Sequence, residues 1–452
     1  MAFVLGLDMG TSKICALALD ADTGEPGAVV STASRADIPA LPAGWREQDP
    51  ESIFQTVCEC VRGLLDDPAL RDAEIAGVGI TGQMHGVLVV DRALKPLTSL
   101  ITWQDQRAAG PVLDSARDAL GPQAFSRHGC HLHAGYGAAT LKWLLSQGRF
   151  PENACALSLA DYLVARLTGV RATEPTHAAS WGILDLESGD WDAEALKSLE
   201  VPRKILPPVQ PSAQPVGVLL PDVAQTLGLP EGIPVCAPVG DNQASVIAAA
   251  GLDLDAIVLN LGTGGQISVP SREYVCAPGL ETRPMPFGGW LTVGASLCGG
   301  WAYAYLCDFF QAVAQEMTGQ AVSREQAFAR LNALAAAAPA GCEGLRADTR
   351  FSGTRNEPSL RGSLQQLDST NFTPANLARA VLEGMLRELA DLGRLAGLGA
   401  ASRVVASGNA VRKNPILKSL IEESFQLPCS LALHSEEAAL GAALCARRSL
   451  GF

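Results

Sequence analysis

The sequence predicts an α/β protein of two domains, and three observations carry that prediction. Short β-rich runs alternate with stretches of helical periodicity. A strand, glycine–threonine turn, strand unit occurs twice, at Asp8-Met9-Gly10-Thr11 and at Gly262-Thr263-Gly264-Gly265. The 452 residues also exceed one ordinary domain, since about 150 residues per domain gives two to three. A division near residue 245 cuts the chain almost evenly into 1–245 and 246–452.

In order, Phe3 to Leu7 is an apolar β-rich run, Asp8 to Ser12 a turn, and Ile14 to Leu19 apolar again, which reads as an opening hairpin. Asp49-Pro50 is an N-cap with proline in the first turn, and Ile53, Val57, Val61 and Leu64 then recur at helical spacing to about Asp66. Ile75 to Thr81 and Val87 to Val90 read as strands. A Pro-rich passage, Leu206 to Pro215, precedes another strand-like run, Val235 to Val239, that ends in Gly240-Asp241-Asn242-Gln243. Ala256 to Leu261 leads into the second Gly-Thr turn, and Gln266 to Val269 resumes the β pattern. Thr373-Pro374 caps a long amphipathic helix that stops around Gly397-Leu398-Gly399. Val404-Val405 is a short strand into Ser407-Gly408-Asn409-Ala410, and helices follow from about Pro415 to Phe425 and from near Glu436-Glu437.

Composition excludes several classes. With 48% apolar and 18% charged residues the chain is globular. A formal charge of −13 and no Lys/Arg run oppose nucleic-acid binding, so small-molecule partners are expected. Twelve cysteines without any CxxC spacing read as buried small apolar residues. No basic segment followed by an apolar run opens the chain, so a cytoplasmic location is expected. The uncharged stretch from Pro284 to Cys307 is long enough to span a bilayer, but two prolines and five glycines make it a strand followed by a helix start, not a membrane span. Oligomeric state stays open, a homodimer included.

Gly77-Val78-Gly79-Ile80-Thr81-Gly82 fits GxGxxG, yet its glycines lie in and just after a strand that leads to another strand, so they read as close-packing glycines rather than a dinucleotide fingerprint. No GxxxxGK[ST] loop is present. His128, His131 and His133 cluster at metal-like spacing, but no second Cys/His pair accompanies them, and a polar loop near a site is the expectation. His177 and His434 read as structural. The two Gly-Thr turns suit phosphate oxygens, because glycine allows close backbone approach and the neighbouring amides and hydroxyl donate hydrogen bonds. Asp8 adds a carboxylate suited to Mg²⁺ beside phosphates; an Asx-turn is its other reading. Asp241, after an apolar strand at the domain boundary, is the candidate catalytic carboxylate, and a helix N-cap is compatible with the same position.

Six segments, LGLDMGTS (5–12), GITGQMHGV (79–87), WQDQR (103–107), GDNQA (240–244), LNLGTGG (259–265) and SGNA (407–410), together resemble the FGGY carbohydrate kinases along nearly the whole chain. With HAASWG (177–182), the combination is most similar to the branch acting on the seven-carbon ketose sedoheptulose, with the xylulose branch next. The resemblance implies two actin-like (ribonuclease H-like) domains with ATP and sugar in the cleft between them, and transfer of phosphate to a terminal ketose hydroxyl. It makes Asp241 the base and gives Mg²⁺ to Asp8 and Asp241. Gly10, Thr11, Ser12 and Lys13 match the first phosphate loop, and Gly262, Thr263 and Gly264 the second. Gln83, Met84, His85, Trp103, Asp105 and Asn242 match sugar contacts, and Gly299, Gly300, Gly408 and Asn409 the nucleoside end.

Two positions depart from that pattern. Cys15 stands where many relatives carry a basic residue, and Gly408-Asn409 stands where Gly-Gly is usual; asparagine tolerates a left-handed backbone better than other non-glycine residues. A sugar-sensing pseudokinase and a chaperone-type ATPase are the rival readings. The intact Asp8 and Asp241 oppose the first, and the GQMHG and WQDQR segments have no role in the second.

Overall fold

The computed structural model describes every residue except 149, 252–254, 355–356 and 399–400. The chain forms two compact units. The first is Met1–Gly251 with Arg283–Trp290 and His434–Phe452, and the second is Leu252–Thr282 with Leu291–Leu433. The expected division at 245 falls inside an unbroken helix, Asp241–Ala250, which ends at Gly251 with φ +82. The last helix, Glu437–Leu450, groups with the first unit rather than with the residues that precede it.

In the first unit a seven-stranded sheet runs Pro215–Val218, Pro234–Cys236, Glu74–Gly82, Ala2–Met9, Lys13–Asp20, Pro26–Ala33, with Val239–Gly240 also paired to Glu74–Gly82. The first two strands form the expected hairpin, Met9 opposite Ile14. Residues alternate faces along each strand. Leu5 and Leu7 join Ile53, Val57, Val61 and Leu64 of the helix Pro50–Leu65 in one core. On the other face the last helix crosses the sheet very closely: a Cβ on Gly6 would lie 2.0 Å from the Ala439 carbonyl oxygen, and one on Gly79 would lie 2.2 Å from that of Ala442. The GxGxxG match is therefore a helix-packing surface. A further core under Val87 to Leu206 gathers Trp181, Trp191, Leu132 and Tyr136.

The second unit holds a six-stranded sheet in the order Leu280–Pro284, Trp290–Ser296, Gly265–Ser271, Ala256–Leu261, Arg403–Ser407, Cys429–Leu431. Its plan repeats that of the first. An antiparallel hairpin closes through Leu261 opposite Gly265, and a parallel strand, Asn260 beside Ser407, flanks it. Long helices Gly299–Thr318 and Pro374–Ala396 cover it, the first extending the expected helix start into 20 residues. Thr373 caps the second through the Asn376 N–H, and Gly397 closes it; Gly399 lies outside the described residues. Among the described residues no helix is long and apolar enough to cross a membrane. All twelve cysteines are free, and only Cys276 is exposed.

Candidate active site

Register sets the first half of the site. In the first unit Asp8 pairs with Thr81 and Thr81 with Val239, all in parallel strands, so three strands end level at one sheet edge. Asp8, Gln83 and Asp241 leave from those ends, which is where open α/β sheets bind ligands. Gly240 is the N-cap and Asp241 the first residue of its helix. Burial pushes the Asp241 carboxyl up to about 6, while a hydrogen bond from the Asn242 backbone and the Arg283 charge pull the other way. Arg283 Nη1 also donates to Asn242 Oδ1 at 3.2 Å. Asp8 is raised to about 7, first by burial and then by the like charge of Asp241, against the Lys13 cation. Its Oδ1 is buried without a hydrogen-bond partner. Two carboxylates whose charges repel, one with an orphaned oxygen, fit a divalent cation, and Mg²⁺ needs only one or two carboxylates when phosphates supply the rest.

The first turn is tight, a Cβ on Gly10 falling 2.9 Å from the Lys13 carbonyl oxygen. Thr11 Oγ1 accepts from Trp103 Nε1 at 3.0 Å and lies 3.5 Å from Gln83 Oε1. Gln83 Nε2 donates to Gln48 Oε1, and Gln48 Nε2 in turn donates to the Thr11 carbonyl, each at 2.8 Å. Ser12 is exposed beside them. Met84 packs on the turn before Asp241, its Sδ 2.8 Å from where a Cβ on Gly240 would stand. His85 has φ 70 and stacks on Tyr136 at 4.3 Å. Its Nδ1 lies 2.7 Å from the Ser180 carbonyl oxygen, which can only accept, so Nδ1 carries a proton.

Three expectations need correction or refinement. Asp105 is fully buried, and its carboxylate already accepts from the Arg46 and Arg107 backbones and twice from the Arg107 guanidinium. It therefore holds Arg107 and the Arg46 segment rather than a sugar. Lys13 Nζ is paired with Glu436 at 2.6 Å. At Gly408-Asn409 the positive φ of +95 belongs to Gly408, and Asn409 begins a short helix, so the second position makes no left-handed demand on the asparagine. Gln48 and Tyr136 carry no local sequence signal; the glycines flanking Tyr136 are the nearest to one.

In the second unit the turn Gly262–Gly264, the start of helix Gly299–Thr318 and the Gly408-Asn409 segment meet. A Cβ on Gly299 would stand 2.2 Å from the Gly264 carbonyl carbon, one on Gly300 2.5 Å from the Gly262 oxygen, and one on Gly408 2.5 Å from the Leu261 oxygen. The Gly300 N–H donates to the Gly262 carbonyl at 2.9 Å, and the Trp301 N–H to that of Thr263 at 3.1 Å. Beside them opens a cavity of about 1010 Å³ lined by Gly262, Thr263, Gly300 and Asn409 together with Trp301, Tyr303, Arg324, Phe328 and Lys413. The last five carry no motif of their own, although Trp301, Tyr303 and Tyr305 form an aromatic run directly after Gly299-Gly300.

The histidine cluster divides among separate partners. His128 Nε2 bonds Asp192 at 2.9 Å, His131 stacks on Phe125, and His133 meets Tyr136 edge-on. Among the described residues no group of three or more His, Cys, Asp or Glu side chains is arranged for a metal.

The N-terminal domain of the FGGY family of carbohydrate kinases matches residues 3–248, and its C-terminal domain residues 257–450. The chain belongs to that family and is an ATP-dependent phosphotransferase acting on sugars. It is 30% identical to sedoheptulokinase of Homo sapiens, over 97% of this chain and 96% of the human one. It is 29% identical to glycerol kinase of Rhodospirillum centenum, over 99% and 89% of the two chains. The crystal structure of xylulose kinase from Rhodospirillum rubrum superposes with a TM-score of 0.87 at 26% identity, covering 98% of this chain and 89% of that one.

Proposed function

We propose that this protein phosphorylates the terminal hydroxyl of a ketose, with sedoheptulose, giving sedoheptulose 7-phosphate, as its substrate. The single observation behind the reaction is the level strand edge that presents Asp8, Gln83 and Asp241 together. Identity to the human sedoheptulokinase along almost the whole chain supports the sugar. D-Xylulose is the second reading, favoured by the close superposition on a xylulose kinase. A coupled assay over C5 to C7 ketoses and glycerol decides it: the highest kcat/KM on sedoheptulose is expected, and a clear preference for xylulose or glycerol overturns that choice. ATP turnover independent of any added sugar or polyol would refute the acceptor chemistry itself.

In this reading Asp241 accepts the proton of the attacking hydroxyl, and Gln83, Met84, His85, Trp103 and Asn242 orient the sugar. The Gly262–Gly264 turn, Gly299, Gly300, Gly408 and Asn409 shape the nucleotide's seat, and Gly10 to Lys13 face its phosphates. Phosphoryl transfer asks chiefly for alignment and charge neutralisation. When bound, Mg²⁺ supplies positive charge to the phosphate oxygens, and Asp8 with Asp241 would hold it. A location in the cytoplasm and a homodimer belong to the same proposal.

The buried carboxylates give a test on the ligand-free protein. Both sit above the ordinary value of 3.8, so between 3.8 and about 7 the native state retains protons that the unfolded chain has released. Their contribution to stability is full below the ordinary value and is lost as pH rises through the native values. Asp8→Asn is therefore expected to raise Tm at pH 8, to leave it nearly unchanged at pH 4, and to raise the Mg²⁺ concentration needed for half-maximal turnover. Absence of any Tm gain at pH 8 contradicts the account of Asp8 as an uncompensated buried charge.

A further inference from the structure

A short buried helix, Pro175–Ala179, touches both working parts of the first unit. Glu174 caps it, fully buried, and its carboxylate accepts four hydrogen bonds: from the Thr176 and His177 N–H groups, from the Thr176 hydroxyl, and from the Ser212 hydroxyl of the Pro-rich passage. With four donors aimed at it, the ionised form satisfies every one of them, and an ionised carboxylate can only accept. The Thr176 hydroxyl proton is thereby committed to Glu174, which leaves a lone pair for its second partner, the Gly240 N–H at 2.7 Å. Gly240 is the residue directly before Asp241 and the cap of its helix. Such a chain is polarised in one direction, each bond strengthening the next. At the other end of the same helix Ser180 Oγ donates to the His177 carbonyl at 2.7 Å and accepts from the His85 N–H at 3.0 Å, while its carbonyl takes His85 Nδ1–H. His85 sits at positive φ, a conformation that needs such support.

We infer that the Glu174–Thr176–Ser180 segment is the positioning element of this kinase, with Ser212–Glu174–Thr176 fixing the turn that carries Asp241 and Ser180 fixing His85. Glu174, Thr176 and Ser180 are positioning residues and touch no reacting atom in this assignment, which rests on Asp241 being the base. Thr176→Val keeps the shape and removes the bridge. It is expected to lower kcat by about tenfold to a hundredfold, the usual result of a displacement near 1 Å, with KM for ATP within about twofold. Thr176→Ser restores turnover, because the hydroxyl is what matters. Ser212→Ala, which removes one donor from outside the helix, shifts kcat in the same direction by less.

The decisive comparison is with Asp241→Asn. If Thr176 acts through the base, adding Thr176→Val to Asp241→Asn produces no further fall in kcat. A second fall of equal size in the double variant overturns the inference, as does normal turnover of Thr176→Val beside an impaired Asp241→Asn. Normal turnover of Asp241→Asn overturns the base assignment and the inference with it. If Thr176→Val does not fold, Ser212→Ala carries the same comparison with Asp241→Asn, and wild-type kcat in Ser212→Ala counts against the relay.

Discussion

Asp241→Asn is expected to lower kcat by about 10²–10⁴, the span of general-base contributions, while ketose and ATP bind within a few-fold of wild type. The amide is nearly isosteric and occupies the same first position of the helix Asp241–Ala250, so what is lost is the ability to take the hydroxyl proton. Burial has already brought the carboxyl to about 6, near the operating pH at which a base is both ionised and basic. Wild-type kcat should accordingly fall on the acid side of about 6, and the residual activity of Asp241→Asn should lack that limb. Near-normal turnover, or an unchanged acid limb in the variant, removes Asp241 as the base.

Gly299→Ala should have a comparable effect on the nucleotide side. The added Cβ would stand 2.2 Å from the Gly264 carbonyl carbon and 2.4 Å from the Gly265 nitrogen. These are backbone atoms of the second Gly-Thr turn, so the turn itself must shift. Misplacement of about 1 Å costs roughly a hundredfold in rate when reacting groups must align, and kcat/KM for ATP is expected to fall on that order. Ketose binding without nucleotide should be unaffected, because the residues proposed to hold the sugar belong to the other compact unit. Gly262→Ala separates the two ways a glycine can matter. A Cβ there meets nothing within 4 Å, so a loss of ATP affinity in that variant reports the approach of the nucleotide rather than a displaced turn. Wild-type kcat/KM for ATP in Gly299→Ala would show that the contact does not set the turn.

The division between sequence and tertiary structure follows from the range of the interactions. Alternating β and helical periods, the two Gly-Thr turns, the caps at Asp49 and Thr373 and the apolar run into Asp241 are local patterns, and the hairpin, the helices and the strand ends formed where those patterns lie. The two Gly-Thr turns likewise lie at corresponding hairpins, and the segments resembling FGGY kinases lie in two units whose sheets share one plan. What lay beyond reach was set by partners far apart in the chain. The WQDQR segment suggests a sugar contact at Asp105, whereas Arg46 and Arg107 saturate its carboxylate. The strand glycines Gly6 and Gly79 are explained only by a helix more than 350 residues further on. The same helix moves the end of the chain into the first unit, and the unbroken Asp241–Ala250 helix moves the boundary past 245. Gln48, Tyr136, Glu174 and Thr176 carry no usable spacing, because each reaches the site through a hydrogen bond or ring contact with a residue between 35 and 64 positions away. A periodic pattern records how a segment meets water and the core. Single long-range hydrogen bonds leave no periodicity behind, and only the folded chain shows which residues they join.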